Sequence, residues 1–321
     1  MPSPSALFTE LTAITLRSQK RRVTDQITAN NAFYRALRDR GNIVDDVKGG
    51  DSIVEAITLV PSAIQNYSGY QPYSTSAVQN ISAVKFNWVQ KVGTVSASGR
   101  ELRINKGKEA LIKLVTAKTT AMLDSASNTM NIELFSDGSA DQSIGGLQLL
   151  LQANGTGTVG AIDSSVWSAW QNKYVQQTAL SGSLTRQDLI YTDMTTLWKK
   201  CVFGSDKPDL GFMTHDYHTA FEASQQVLQR YMDPKKATAG FENVGFKGIP
   251  IMFDSNANFS ETGQKLYLLN TKHIYLVEHP DAKWDMEPER KPVNQDAVNI
   301  PAYWMGALVI KSRRTQGLLS S

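Results

Sequence analysis

The chain has 321 residues, of which 41% are hydrophobic, 20% charged and 9% aromatic; this composition excludes a wholly disordered or collagenous chain. At 35.4 kDa it is long enough for a substantial core, in two domains or one large one. Thirty-three basic residues stand against 30 acidic ones, and no apolar run approaches the length of a membrane span.

The N-terminal segment has no apolar stretch behind a basic start, so no secretory signal is expected. Residues 10–40 set Leu11, Ile14, Val23, Ile27, Phe33 and Leu37 among polar positions and stop at Gly41. That spacing keeps the helical period only in part, which predicts an arm lying on something rather than a core helix. Residues 1–40 hold seven basic against three acidic side chains, an excess larger than the +3 of the whole chain. Such a segment is a candidate polyanion contact, because each cation placed on a phosphate releases a counterion; the plain alternative is a solvated amphipathic face.

Beyond a glycine turn at Lys48–Asp51, the pattern becomes that of strands. Ile53–Val60 is one β-prone run. Val84, Phe86 and Trp88 alternate with Lys85 and Asn87, and the run continues through Val92–Val95. Residues 66–76 between them are polar and tyrosine-rich, punctuated by Gly69 and Pro72, as suits a loop tip. The prediction is an extended hairpin over 51–104. Two strands alone are marginal in water, so this hairpin needs a surface to lie on, and a neighbouring subunit is a candidate.

Lys108 to about Phe135 is free of proline and places Leu111, Val115, Met122, Ala126 and Met130 on one face, with Leu114 and Leu134 close by. This predicts a long, half-buried helix of roughly 40 Å, ended by Asp137-Gly138. From 142 onward helices and strands mix without a βαβ repeat. Helical stretches are expected at Leu184–Lys200 and Asp216–Tyr231. Strands are expected at Pro208–Met213, Gly248–Asp254, Lys265–Leu269, Ile274–Val277 and Trp304–Ser312. The class is α+β.

Motifs for chemistry are sparse. Gly155, Gly157 and Gly160 form G-x-G-x-x-G, but Leu180 occupies the position for a ribose-binding acid and Asp188 lies 28 residues past Gly160. A flexible surface loop explains them better than a dinucleotide site. His215 and His218 are three apart, without an H-E-x-x-H motif, and read as polar residues at a helix entry. Cys201 is the sole cysteine, which excludes an internal disulfide; its setting fits a small buried hydrophobe. No catalytic, metal-binding or cofactor-binding residue is expected.

The order of arm, hairpin, long helix and mixed domain resembles the major capsid protein of tailed bacteriophages, the Hong Kong 97-like fold shared by encapsulin shells. The likeness is carried by Gly50–Glu55, Tyr67–Tyr70 and Phe86–Trp88, which look like the extended loop (E-loop). Gly107–Ala110 and Phe135–Gly138 resemble the two ends of the spine helix. Ile144–Leu147, Pro208–Leu210, Phe241–Pro250, Tyr267–Lys272 and the closing Arg313–Gly317 look like the axial domain. The resemblance implies an N-terminal arm (1–50), an extended loop (51–104), a peripheral domain with the spine helix (105–141 and 278–312) and an axial domain (142–277 and 313–321).

It further implies a structural protein, not an enzyme, that assembles with itself into hexamers and pentamers of an icosahedral shell. The tip residues Tyr67, Tyr70 and Tyr73 would then contact the next subunit. Arg17, Lys20, Arg21 and Arg22 of the arm would face packaged double-stranded DNA without sequence preference. A portal, a decoration protein and a separate scaffolding protein are the further partners implied. About fifty residues precede the hairpin, too few for a long built-in scaffold. The location implied is the virion, after assembly in the bacterial cytoplasm. Lys85 and Lys91 lie on the expected hairpin, but no residue marks an isopeptide crosslink and none is expected. The alternatives are an encapsulin-like shell, a soluble DNA-binding protein resting on the arm, and a nucleotide-binding enzyme resting on the Gly155–Gly160 loop.

Overall fold

The computed structural model describes residues 31–45, 50–60, 64–72, 80–104, 108–226, 244–253 and 265–321. Arg17, Lys20, Arg21, Arg22 and Tyr73 lie outside the described residues. In chain order come α1 (Ala32–Asp39), β1 (Ile43–Asp45), β2 (Ser52–Thr58), β3 (Ile81–Asn87), β4 (Val89–Ser98), α2 (Gly99–Ile104), α3 (Lys108–Leu134) and α4 (Leu147–Leu150). There follow β5 (Thr158–Val159), β6 (Ile162–Asp163), β7 (Lys173–Gln176), α5 (Arg186–Cys201), β8 (Leu210–Met213) and α6 (His215–Gln226). The chain closes with β9 (Val244–Phe246), β10 (Ile249–Phe253), β11 (Lys265–Leu269), β12 (Ile274–Met286), β13 (Ala297–Ile310) and β14 (Gly317–Ser320). Helices and mixed sheets alternate irregularly, so the class is α+β. The described residues form two compact units, one from within 1–49, 88–145 and 276–308 and the other from within 50–87, 146–275 and 309–321.

In the first unit a four-stranded sheet runs β1-β12-β13-β4. β13 pairs antiparallel with β4 from Ala297 opposite Ser98 to Gly306 opposite Val89. The long helix α3 lies on this sheet because its apolar positions recur every three or four residues. Val115, Met122, Leu123 and Ala126 meet Val95, Ala97, Val298, Ile300 and Ala302 in one core. Gly93 permits the close approach, since a Cβ there would stand 2.7 Å from the Met122 sulfur. Near its C-terminal end the helix is pinned by Lys91, whose Nζ lies 2.5 Å from Glu133 Oε1, while Glu133 Oε2 accepts the Ile144 N–H at 2.8 Å.

Helix α1 joins the same unit. The Asn31 side chain accepts the Tyr34 N–H at 2.9 Å and caps it. Phe33 meets Phe135 at a 5.7 Å ring separation. The Tyr34 hydroxyl (3.2 Å) and the Trp304 indole N–H (2.9 Å) both donate to Glu278 Oε1, so one buried carboxylate joins α1, β12 and β13. Burial raises the Glu278 carboxyl above its ordinary value, partly offset by these two donors.

In the second unit a six-stranded sheet runs β7-β14-β11-β8-β10-β9, with β8/β10 and β7/β14 parallel and the other pairs antiparallel. Helices α5 and α6 cover it through Ile190, Met194, Leu197, Tyr217 and Phe221. The expected helix start is present as a capping box, with the Asp188 carboxylate accepting the Thr185 N–H at 2.8 Å. The closing segment supplies two buried polar ties. Arg313, fully buried, donates from Nε to the Leu150 carbonyl (2.8 Å) and from Nη2 to Asn172 Oδ1 (2.9 Å). Gln316 exchanges hydrogen bonds with the Asn270 backbone at 2.8 and 3.0 Å.

The hairpin requires a correction. β2 and β3 pair from Ser52 opposite Asn87 to Thr58 opposite Ile81, but the expected single arm running on through Val95 is two strands. Even-numbered Val84 and Phe86 are buried in β3, whereas odd-numbered Val89, Val95 and Ala97 are buried in β4. A one-residue change of parity at Trp88 turns the chain onto another face, so β4 enters the four-stranded sheet of the first unit. Lys91 therefore lies on β4 and not on the hairpin. The inner face of the hairpin, Ile53, Ile57, Val84 and Phe86, is already buried against its own chain, so it does not await a neighbour for that face.

Two outcomes follow from the buried polar groups. Arg313→Ala strips the donor from the Leu150 carbonyl and opens a cavity, and should lower the unfolding free energy of the unassembled chain by about 3 kcal/mol in urea titrations. Glu278, with a raised folded pKa, contributes stability that is full below the ordinary carboxylate range and lost as pH rises through the raised value. Glu278→Gln keeps an acceptor without the charge, so its stability measured from about pH 4 to 8 should lack that decline.

Candidate subunit-contact site

The outer face of the hairpin is the first element of the site. Strand alternation that buries Ile53, Val84 and Phe86 turns Val54 and Ile81 outward, 54% and 67% exposed. Beyond the strands the tip bends at Ser68–Gln71, with Gly69 at φ +56° and the Gln71 N–H donating to the Ser68 carbonyl at 3.3 Å. Tyr67 is exposed there and Tyr70 fully so, along with Ile64. The structure thus brings two of the three predicted tyrosines together on one exposed tip. Exposed apolar side chains gathered this way make the tip a candidate contact surface.

The second element belongs to the first unit. β4 is an edge strand, its pairing side taken by β13 and its other side without a strand among the described residues. Between β4 and α3 runs an open groove of about 670 Å³, lined by Val92, Gly93, Thr94, Met122, Ser125 and Trp284. Lys118 reaches across one end, donating to the Ser96 carbonyl at 2.6 Å and to Glu101 Oε2 at 2.7 Å. The Lys118 hydrogen bond, before all else, holds the exposed Glu101 carboxyl below its ordinary range. An edge strand with a lysine across it is guarded against indiscriminate pairing, yet the rest of its edge remains a template for an extended segment. Sequence reading missed this groove. Its only signal was the even-positioned polar series Gln90, Thr94, Ser96 and Ser98 beside a long helix.

Gly155–Gly160 opens no helix; it leads into the β5–β6 hairpin, whose tip rests on β3. Its interior is filled, with the Ser164 hydroxyl donating to the Gly157 carbonyl at 2.8 Å and the Trp170 indole to the Val159 carbonyl at 3.1 Å. His215 and His218 lean on Phe253, and His218 Nδ1 lies 3.2 Å from Glu222. Among the described residues no cluster of His, Cys, Asp and Glu could hold a metal ion, and no helix is long and apolar enough to cross a membrane.

Cys201, the last residue of α5, is buried, and burial pushes its thiol up to about 12. It should therefore resist alkylation in the folded chain at about pH 8 and react at the rate of a free thiol only after denaturation, as a thiol-reagent time course would show.

No family model matches the chain, and no curated protein matches it. Solved structures do. The capsid asymmetric unit of cyanophage A-1(L) aligns with a TM-score of 0.62 at 14% identity, over 87% of this chain and 90% of that one. The capsid of Myoviridae phage XM1 aligns at 0.57 and 12% identity, over 89% and 91%. The holo-SrpI encapsulin complex of Synechococcus elongatus aligns at 0.51 and 11% identity, over 87% and 83%. The shared property is the fold, and the chain has the Hong Kong 97-like capsid fold.

Proposed function

We propose that this chain is a major capsid protein that assembles through hexamers and pentamers into an icosahedral shell enclosing double-stranded DNA. The reading is supported by a capsid fold that carries two unlike surfaces able to serve as the halves of a head-to-tail contact. One is an exposed hairpin with Tyr67 and Tyr70 at its tip, and the other is an open strand edge beside α3. Unlike surfaces on one chain give a heterologous interface, which closes into rings when the rotation allows. The hairpin of one copy lies along the α3–β4 region of the next, with main-chain pairing for affinity and the aromatic tip as anchor.

The remaining assignments belong to the same reading. Residues 1–50 form an arm whose Arg17, Lys20, Arg21 and Arg22 face the packaged genome, 105–141 with 278–312 a peripheral domain, and 142–277 with 313–321 an axial domain. Tyr73 completes the tip. A scaffolding protein, a portal and a decoration protein are partners, assembly takes place in the host cytoplasm and the chain performs no catalysis. An encapsulin-like shell is the second reading, favoured by the likeness to the Synechococcus elongatus complex, and it is distinguished by captured protein cargo in place of nucleic acid.

Negative-stain microscopy with sedimentation at low and moderate salt tests the proposal. Closed shells or five- and six-fold rings are expected from the full chain, and uniform small particles retaining a nucleotide would overturn it. Deleting residues 65–80 should leave a folded subunit, with circular dichroism unchanged, that no longer closes shells.

A further inference from the structure

The Gly155–Gly160 loop has a mechanical place in the second unit. Gly160 (φ +61°) and Ala161 (φ +65°) are the two central residues of the turn joining β5 to β6, both in the left-handed region, as a two-residue type I′ hairpin requires. This turn tip meets the free edge of β3. The Lys85 N–H donates to the Gly160 carbonyl at 3.0 Å, and a Cβ on Gly160 would fall 1.8 Å from Val84 Cγ1. Val84 is wholly buried, so its methyl group fills the space that the absent side chain leaves.

The seat itself is rigidly held. The Ser164 hydroxyl and N–H both donate to the Gly157 carbonyl, at 2.8 and 3.1 Å, and the Trp170 indole donates to the Val159 carbonyl. Trp170 in turn lies against the buried Arg313 guanidinium, 5.9 Å from the ring centroid. On the partner strand, Glu55, directly opposite Val84, lies 3.4 Å from the Lys311 Nζ, a second mid-strand contact. A continuous series of contacts therefore leads from the Arg313 tie through Trp170 and the β5–β6 turn to the middle of β3.

We infer that the Gly160–Ala161 turn is a seat that sets the attitude in which the β2–β3 hairpin is presented to a neighbouring copy. The inference rests on the shell reading for its purpose, though the seat itself can be measured without it. Gly160 and Val84 are positioning residues: neither is asked to touch the neighbour. A hairpin clamped only where its strands begin could swing its tip through a wide arc, because a small rotation at the base becomes a large displacement at Tyr70. Contact at mid-strand shortens that lever and leaves Val54, Ile81 and the tip facing outward.

Amide exchange and shell yield on the full chain test this. In Gly160→Ala the new methyl displaces Val84, and the Lys85 amide should exchange roughly tenfold faster, with closed shells reduced at least as much. Val84→Ala removes the opposing methyl, so Gly160→Ala added to it should raise Lys85 exchange less than about threefold further, and shells should return to the Val84→Ala level. Gly204→Ala is the control, for Gly204 has φ +60° with open space where its Cβ would be, and it carries the same backbone strain without a collision. It should leave hairpin exchange and shell yield unchanged. Should Gly160→Ala fail to fold, Val84→Ala alone must still speed Lys85 exchange.

Unchanged Lys85 exchange in the folded variants, or a Gly160→Ala defect not relieved by Val84→Ala, overturns the seat. Faster exchange with shells closing at the normal yield overturns its role in presentation. If the unaltered chain forms no shells or rings, the shell reading fails, and Lys85 exchange still decides whether the seat exists.

Discussion

A two-stranded sheet has two faces and two edges, and a single chain cannot satisfy them all without ceasing to project. The β2–β3 hairpin meets this constraint by division. Its inner face is buried within its own unit, with Val84 sealed against Gly160, while Val54, Ile81 and the tip stay outside. The inner contacts supply the order that an isolated hairpin lacks. In the proposed contact the outer surface would arrive already shaped, so less conformational entropy would be lost. The same division appears in the four-stranded sheet, where α3 covers one face of β4 and no strand among the described residues takes its other edge.

Such surfaces demand firm foundations, and each unit places buried polar groups where apolar packing alone would leave geometry unspecified. Glu278 gathers a tyrosine and a tryptophan donor from two other elements, and Arg313 ties the closing segment to Leu150 and Asn172. Set against a well-packed apolar group of the same volume neither adds much net stability, because desolvation opposes its hydrogen bonds, whereas truncating either leaves its partners unpaired. Their effect is directional: a fork of donors or a single shared oxygen accepts only one arrangement of its partners. Burial draws the Arg313 guanidinium down to about 10, the mark of a cation held by neutral acceptors rather than by a carboxylate.

Much of this was legible in the residues. The stripe through Val115, Met122, Ala126 and Met130 announced α3, and the alternation around Val84 and Phe86 announced β3, because each is a local periodicity set by one buried face. What local pattern could not reveal was partnership. Trp88 reads as the next step of one strand, whereas the buried positions change parity there and the chain passes to another sheet. The distal half of β12 was missed because its side chains are half-buried, which erases the alternation that marks a strand; the start of β13 was missed because Pro301 interrupts its apolar run, although Val298 and Ile300 are buried in alternation. The groove was invisible since it belongs to no segment; it arises only where an edge strand and a helix come together.

The glycine motif shows why residue spacing underdetermines chemistry. In a dinucleotide site, glycines serve a tight turn and close approach of a phosphate to backbone N–H groups. Here the same three positions serve tight turns and close approach of protein to protein: Gly157 leaves room for the Gln152 side chain and Gly160 for Val84. The physical requirement, left-handed backbone with no Cβ, is identical in both settings, so the motif alone cannot choose between them. The elements on either side decide. A helix following the glycines would aim N–H groups at an anion; a β-turn aims a carbonyl at the Lys85 N–H and offers nothing to a phosphate. The same reasoning explains how a fold persists at 14% identity to the cyanophage capsid chain. Parity, helical stripe and permitted backbone conformations can be met by many residues, and they, rather than particular side chains, specify the architecture.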